Sequence, residues 1–164
     1  MKLKVAILTV STGVSNGERE DESGAAIREF VEAREWQIIR HDVVPDDEHR
    51  ISEYLRYMAD TGVPDLVLTT GGTGLSPTDS TPEATRAVIE REAPGITEAM
   101  RMKSFETVPT AILSRQVAGL RGSTLIVNLP GSPAAVRECL AIVGDVLEHA
   151  CDIARGRAHD CGRG

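Results

Sequence analysis

Aromatic residues make up only 3% of the 164-residue chain: one Trp, two Tyr and two Phe. So few rings argue against a base-stacking platform for single-stranded nucleic acid and leave the core to Val, Ile, Leu and Ala. Positive charge is also scarce. Eighteen Lys and Arg against 25 Asp and Glu give a formal net charge of −7. That balance disfavours a broad phosphate-tracking surface but not a local anion pocket made of backbone N–H groups. Long apolar runs are missing too. Val5 to Val10 is too short for a membrane span or a signal-peptide core, and no longer run follows; the expectation is a cytoplasmic protein with no membrane or nucleic-acid partner. The cysteines are Cys139, Cys151 and Cys161, without a CxxC pair. An odd, scattered set points to reduced thiols rather than a disulfide framework. A metal set would have to join His159 to Cys161, with Cys151, whereas zinc sites take four ligands, or three and a water.

Hydrophobic residues at 41% and charged residues at 26% are ordinary for a globular chain, and the length suits one domain. No repeat, low-complexity block or Pro/Gly/Ser linker divides it. Strand and helix patterns alternate, which implies α/β. Strands are expected at Lys4–Val10, Trp36–Val44, Asp65–Thr70 and Leu125–Leu129, with a possible short one at Pro109–Leu113. Continuous apolar runs such as KVAILTV suit a parallel sheet buried on both faces. Helices are expected at Ala25–Arg34, Asp47–Ala59, Thr81–Arg91, Ile96–Phe105 and from about Ala134 to Ala154, with a polar loop over Ser11–Ser23. The domain is expected to end near residue 155, and residues 156–164 to form a flexible tail.

Ligands of such sheets bind beyond the carboxyl ends of the strands. The loop Thr70-Gly71-Gly72-Thr73-Gly74 lies there. Glycine permits positive φ and close approach by a ligand, so the loop can aim N–H groups and hydroxyls at an anion; the alternative is a tight strand–helix turn. Asp79 follows, either to coordinate a cation or to cap the next helix. Asn128-Leu129-Pro130-Gly131-Ser132-Pro133 is a second such loop, a phosphate or oxyanion site or a simple helix cap. Asp46 is read as a cap or, with Asp79, as half of a Mg²⁺ site. The first loop offers Ser11, Asp21 and Ser23. Ser114-Arg115 is read as a phosphate clamp or an ion pair. His41 and His49 are taken as surface or structural residues, and Tyr54, Tyr57 and Met58 as packing. Neither a P-loop nor G-x-G-x-x-G is complete.

LTTGGTGLSPTDSTPEAT (Leu68 to Thr85), PGITEAMR (Pro94 to Arg101), TAILSRQVAG (Thr110 to Gly119) and LIVNLPGSP (Leu125 to Pro133) stand in this order and at these separations. Together they resemble the MogA/MoaB family of molybdenum cofactor biosynthesis proteins. The likeness covers nearly the whole chain. LSRQ before NLPGSP looks closer to the MogA side, and GEREDESG to the MoaB side. The resemblance implies the molybdopterin-binding fold, a three-layer α/β sandwich with a mostly parallel central sheet flanked by helices. It implies adenylyl transfer from Mg-ATP to the terminal phosphate of molybdopterin, with release of pyrophosphate. Its product would pass to the metal-inserting protein of the same pathway, and the assembly would be a homotrimer, or a hexamer. Carried over by position, Gly71, Gly72, Thr73 and Gly74, with Ser114 and the Pro130-Gly131-Ser132 turn, hold the pterin and phosphate end. Asp46 and Asp79 match the family's carboxylates for Mg²⁺ and nucleotide. The Ser11 loop closes over the site. Thr70, Arg115, Asn128, Asp21 and Ser23 complete the expected binding set. One departure is Thr12, where many members have Asp or Asn.

Adenylyl transfer asks little covalent participation of a protein. It needs the attacking phosphate and the α-phosphorus held in line, with growing charge offset. Competing readings are a MoaB-like protein that binds or delivers the pterin without turnover, a CinA-type nucleotide pyrophosphatase, and a purely structural oligomer subunit. The pyrophosphatase usually carries this domain in a longer chain, and the subunit reading leaves both glycine loops unexplained.

Overall fold

The first strand, β1 (Lys4–Val10), divides its side chains between two cores. Val5 and Ile7 enter one, Ala6, Leu8 and Val10 the other, because successive side chains of a strand face opposite sides of the sheet. Two more strands of this computed structural model, which describes residues 2–158, do the same. In β3 (Leu66–Thr70) and β6 (Thr124–Leu129), Leu66, Leu68, Leu125, Val127 and Leu129 face the first core, and Val67 and Ile126 the second. Both faces must then be covered, and that requirement sets the architecture.

With β2 (Gln37–Val44), β4 (Arg91–Glu92) and β5 (Ala118–Arg121), the sheet has the order β2-β1-β3-β6-β5-β4. The first four run parallel, β5 pairs antiparallel with β6, and β4 pairs antiparallel with β5. The helices are α1 (Thr12–Ser15), α2 (Glu22–Ala33), α3 (Glu48–Asp60), α4 (Thr81–Arg86), α5 (Pro94–Phe105) and α6 (Pro133–Ala154). Apolar faces of α2, α5 and α6 close one core, with Ile27, Met100 and Leu140 buried; α3 and α4 close the other, with Ile51, Leu55 and Ala84. This is the expected three-layer sandwich. No helix among the described residues is long and apolar enough to cross a membrane.

Several expected elements differ. Pro109–Leu113 is a 3-10 helix, not a strand. Ile112 and Leu113 are exposed there, and Pro109 has no N–H for a ladder. The strand in this region is Ala118–Arg121, whose Ala-Gly-Leu-Arg sequence carries no β-branched signal. Its pairing with β6 through a two-residue turn, with Gly122 at φ 56, places it. The helix expected over Thr81–Arg91 stops at Arg86, and the chain reaches the sheet edge as β4. The polar loop contains α1, and α2 begins at Glu22 because Asp21 accepts a bond from the N–H of Gly24. The tail expected from Gly156 is tied at its start. Arg157 pairs with Asp152 at 2.9 Å and with Asp65 at 3.1 Å. The rest of that tail, with His159 and Cys161, lies outside the described residues.

Polar residues interrupt the core at the carboxyl ends of the parallel strands. Thr9, Thr69, Thr70 and Asn128 are all buried, and they lead into the loops.

Candidate active site

Two glycine turns meet at these strand ends. Gly71 has φ 95 and Gly72 φ 66, values that favour glycine. Space demands glycine as well. A Cβ on Gly71 would lie 2.2 Å from the carbonyl oxygen of Val10, and one on Gly72 2.4 Å from Thr81 Oγ1. The Thr81 hydroxyl donates to Gly71 O at 2.9 Å, and the Thr81 N–H to Gly72 O at 3.1 Å. From the other side, the Thr70 hydroxyl donates to Pro130 O at 2.6 Å and the Gly71 N–H to Leu129 O at 3.3 Å. A Cβ on Gly131 would come within 3.4 Å of Gly71 Cα. The two turns are therefore one wall. Among the described residues no acceptor engages the N–H groups of Gly72, Thr73 or Gly74, which leaves donors for an anion.

A hollow opens on each side of this wall. One, of about 450 Å³, is polar. Gly71, Gly72 and Gly131 form its floor, Ser11 and Ser23 its near side, and Asp46 and Asp79 reach it from two separate loops. The other, of about 500 Å³, is mainly apolar. Met100, Val108 and Leu113 line it beside Thr73, Gly74, Ser114, Pro130 and Ser132. Its buried polar atoms include Ser104 Oγ and Ser114 Oγ, neither with a partner. Unpaired buried hydroxyls are costly, so both mark places where a ligand can hydrogen-bond.

Asp46 is free to face its hollow because its neighbour does the capping. Asp47, not Asp46, caps α3, accepting from the Arg50 N–H at 2.9 Å. Asp46 Oδ2 instead accepts from the N–H and hydroxyl of Thr12, each at 3.1 Å. Thr12 thus orients the carboxylate. Asp79 does not cap α4 either; Ser80 holds the N-cap position. Asp79 Oδ2 accepts from the Ser76 N–H at 3.2 Å. In both acids Oδ1 remains without a hydrogen bond among the described residues. Among the described residues no group of three or more His, Cys, Asp or Glu is arranged to hold a metal by itself.

Other expected site residues act behind the wall. Asn128 is buried, with its amide engaged by Val117 N–H, Thr69 and Thr85 at 2.9–3.1 Å. Arg115 lines neither hollow. It donates to the carbonyls of Gly74 at 2.8 Å and Asp79 at 3.0 Å, and pairs with Glu83, so it braces the loop from Gly74 to Asp79. The Arg115 hydrogen bond holds the Glu83 carboxyl below its ordinary range. Thr70 is buried in the joint between the turns. Asp21 caps α2 and also joins Thr9 and His41, at 2.7 and 3.0 Å, which fixes the base of the first loop. Ser11 and Ser132 cap α1 and α6 and line one hollow each.

Arg19, Glu20 and Glu22 of the first loop, and Met100, Ser104 and Gln116 of the second hollow, carried no signal in spacing or composition. Gln116 is buried, and its amide donates to Asn128 O at 2.9 Å. Cys139 also lines the second hollow; burial pushes its thiol up to about 11, so it stays protonated at neutral pH and is no nucleophile.

The sequence profile of the family described as "Probable molybdopterin binding domain" matches residues 6–149. A molybdopterin adenylyltransferase of Helicobacter pylori strain J99 is 42% identical over 158 residues, covering 94% of this chain and 89% of that protein. The molybdopterin adenylyltransferase of Escherichia coli K12 is 40% identical over 145 residues, covering 87% of this chain and 74% of its own. Among solved structures, the molybdopterin biosynthesis enzyme MoaB of Thermus thermophilus superposes with a TM-score of 0.89 at 48% identity, covering 94% of this chain and 97% of the other.

Proposed function

The chain belongs to this molybdopterin-binding family, and we propose that it is a molybdopterin adenylyltransferase of molybdenum cofactor biosynthesis, acting on ATP and molybdopterin. One observation carries the assignment to this site: two touching glycine turns separate an acid-lined polar hollow from an apolar one. A pterin is a flat heterocycle with a polar edge. The apolar hollow suits it, with Ser104 and Ser114 hydroxyls unpaired in its lining. A nucleotide with its phosphates suits the polar hollow. The phosphate that joins the two substrates then lies at the wall, against the N–H groups of Gly72, Thr73 and Gly74.

In the reaction, an oxygen of the terminal phosphate of molybdopterin bonds to the α-phosphorus of ATP. The bridging bond from the α- to the β-phosphate breaks, and pyrophosphate leaves. The wall fixes the distance and line of approach, and its oriented N–H dipoles offset charge without reorganising. Rigidity comes from Thr70, Thr81 and Arg115, which hold the turns from behind. The thiol of Cys139 takes no part.

Asp46 and Asp79 fit Mg²⁺ arriving with ATP. They are hard oxygen donors from two loops, each with Oδ1 unengaged, and Mg²⁺ is commonly bound by one or two carboxylates plus substrate phosphates. When bound, the ion neutralises phosphate charge. In the same reading the protein works in the cytoplasm as a homotrimer. The exposed Met102, Phe105, Val108 and Ile112 of α5 and the following segment supply an apolar contact face, and the product is handed to the metal-inserting protein of the pathway.

The test is incubation of the chain with molybdopterin and Mg-ATP. One pyrophosphate released per adenylylated pterin is expected. Tight pterin binding with no pyrophosphate would replace this reading with that of a carrier.

A further inference from the structure

Arg19 is a cation among acids. The polar hollow is lined by Glu20, Glu22, Asp46 and Asp79, and among the described residues Arg19 is the one lysine or arginine beside them. Yet among the described residues its guanidinium forms no ion pair, although Arg115, Arg121, Arg155 and Arg157 all do. An exposed arginine normally has little reason to hold one direction. This one has a seat. Gly13 lies within α1 without positive φ, where glycine weakens a helix relative to alanine. A Cβ on Gly13 would lie 2.9 Å from Arg19 Cδ and 3.5 Å from Cγ. The missing methyl is the space the arginine stem occupies. The flanking chain is held as well. Glu18 N–H donates to Gly13 O at 2.9 Å, and Asp21 is tied to Thr9 and His41.

We infer that Arg19, seated on Gly13, binds the β- and γ-phosphates of ATP and the pyrophosphate that leaves. This rests on the adenylyl-transfer reading for the identity of the nucleotide. The α-phosphate is met by the wall, on the side of the hollow that Gly71, Gly72 and Gly131 form. The leaving pyrophosphate gains negative charge as its bond to the α-phosphorus breaks, and Glu20 and Glu22, the two lining acids not assigned to Mg²⁺, repel that charge. Arg19 offers planar, paired N–H donors that match a phosphate edge. It also discriminates: ATP carries the groups it binds, and AMP does not.

Calorimetric binding of Mg-ATP, inorganic pyrophosphate and AMP tests this without turnover. Arg19→Ala should weaken ATP and pyrophosphate by about tenfold to a hundredfold, the span of one lost hydrogen bond to a charged group, and leave AMP unchanged. Arg19→Lys should recover part of the loss. Gly13→Ala should reproduce the Arg19→Ala loss while keeping the fold, because the atoms it meets belong to a flexible side chain. Added to Arg19→Ala it should cost nothing more. Unchanged ATP binding in Arg19→Ala, an equal loss for AMP, or additive losses for the two substitutions would overturn the assignment. Failure of the reaction reading looks different: the wild-type chain would bind ATP in an Arg19-dependent way but release no pyrophosphate with molybdopterin. Wild-type protein that binds neither ATP nor pyrophosphate would sink the assignment of Arg19 as well.

Discussion

The two hollows share a wall but not a chemistry. On one side Asp46, Asp79, Glu20 and Glu22 crowd a polar space; on the other Met100, Val108 and Leu113 make an apolar one. A single backbone feature, the joined turns of Gly71-Gly72 and Pro130-Gly131, serves both. Two linings that differ in kind are thus set a short distance apart by a wall that is largely backbone. The lesson is that rigidity belongs to the wall and selectivity to its two linings, so substitutions in the three places should have separable effects.

The largest effect is expected on the polar side. Asp79→Asn should lower kcat by about 10²–10³-fold, the size of a lost electrostatic contact to reacting charge, with molybdopterin affinity unchanged in equilibrium binding. Loss of both together would put Asp79 in the wall rather than the lining. Substituting the wall should spare neither ligand. Gly72→Ala forces a Cβ to 2.4 Å from Thr81 Oγ1 at φ 66. It should destabilise the protein by about 1–3 kcal/mol, as strained backbone does, read from urea unfolding, and weaken ATP and molybdopterin alike. On the apolar side, Ser114→Ala should raise the molybdopterin KM by no more than about tenfold, one hydrogen bond's worth, and leave the ATP KM alone. A shift in the ATP value would deny that the hollows are chemically distinct.

The smallest effect concerns the brace. Arg115 lowers the Glu83 pKa from 4.5, so the pair stabilises the fold above that value and loses its contribution as pH falls through the lowered one. Glu83 is 43% exposed at its side chain, so the pair is worth at most about 1 kcal/mol. Thermal unfolding should find Glu83→Gln less stable than wild type near neutral pH, with the gap closing in acid. A gap that widened there would reverse the sign of the coupling.

Residues that a strand end or a positive φ requires were the readable ones. KVAILTV, DLVLTT and LIVNL announce buried strands because both their faces are apolar, and the glycines at 71 and 72 stand out because side chains there would strike backbone or a neighbouring hydroxyl. The Asp46–Asp47 pair was not readable in the same way. Two adjacent acids are equally able to cap a helix, and only the placement of Thr12 beside Asp46 assigns them. Asn128 and Arg115 looked like ligand contacts for a related reason. A polar side chain near a glycine loop has the same composition whether it faces a substrate or braces the loop from behind.

Local chemistry along the chain was enough for the α/β alternation, the glycine turns and the acids that follow them, because periodicity and conformational freedom act over a few residues. Folding alone settled which acid of a pair faces the hollow, that Ala118–Arg121 rather than Pro109–Leu113 joins the sheet, and that Gly13 makes room for Arg19. Each of those depends on surfaces brought together from different elements, and burial, strand pairing and free volume exist only once the layers have packed.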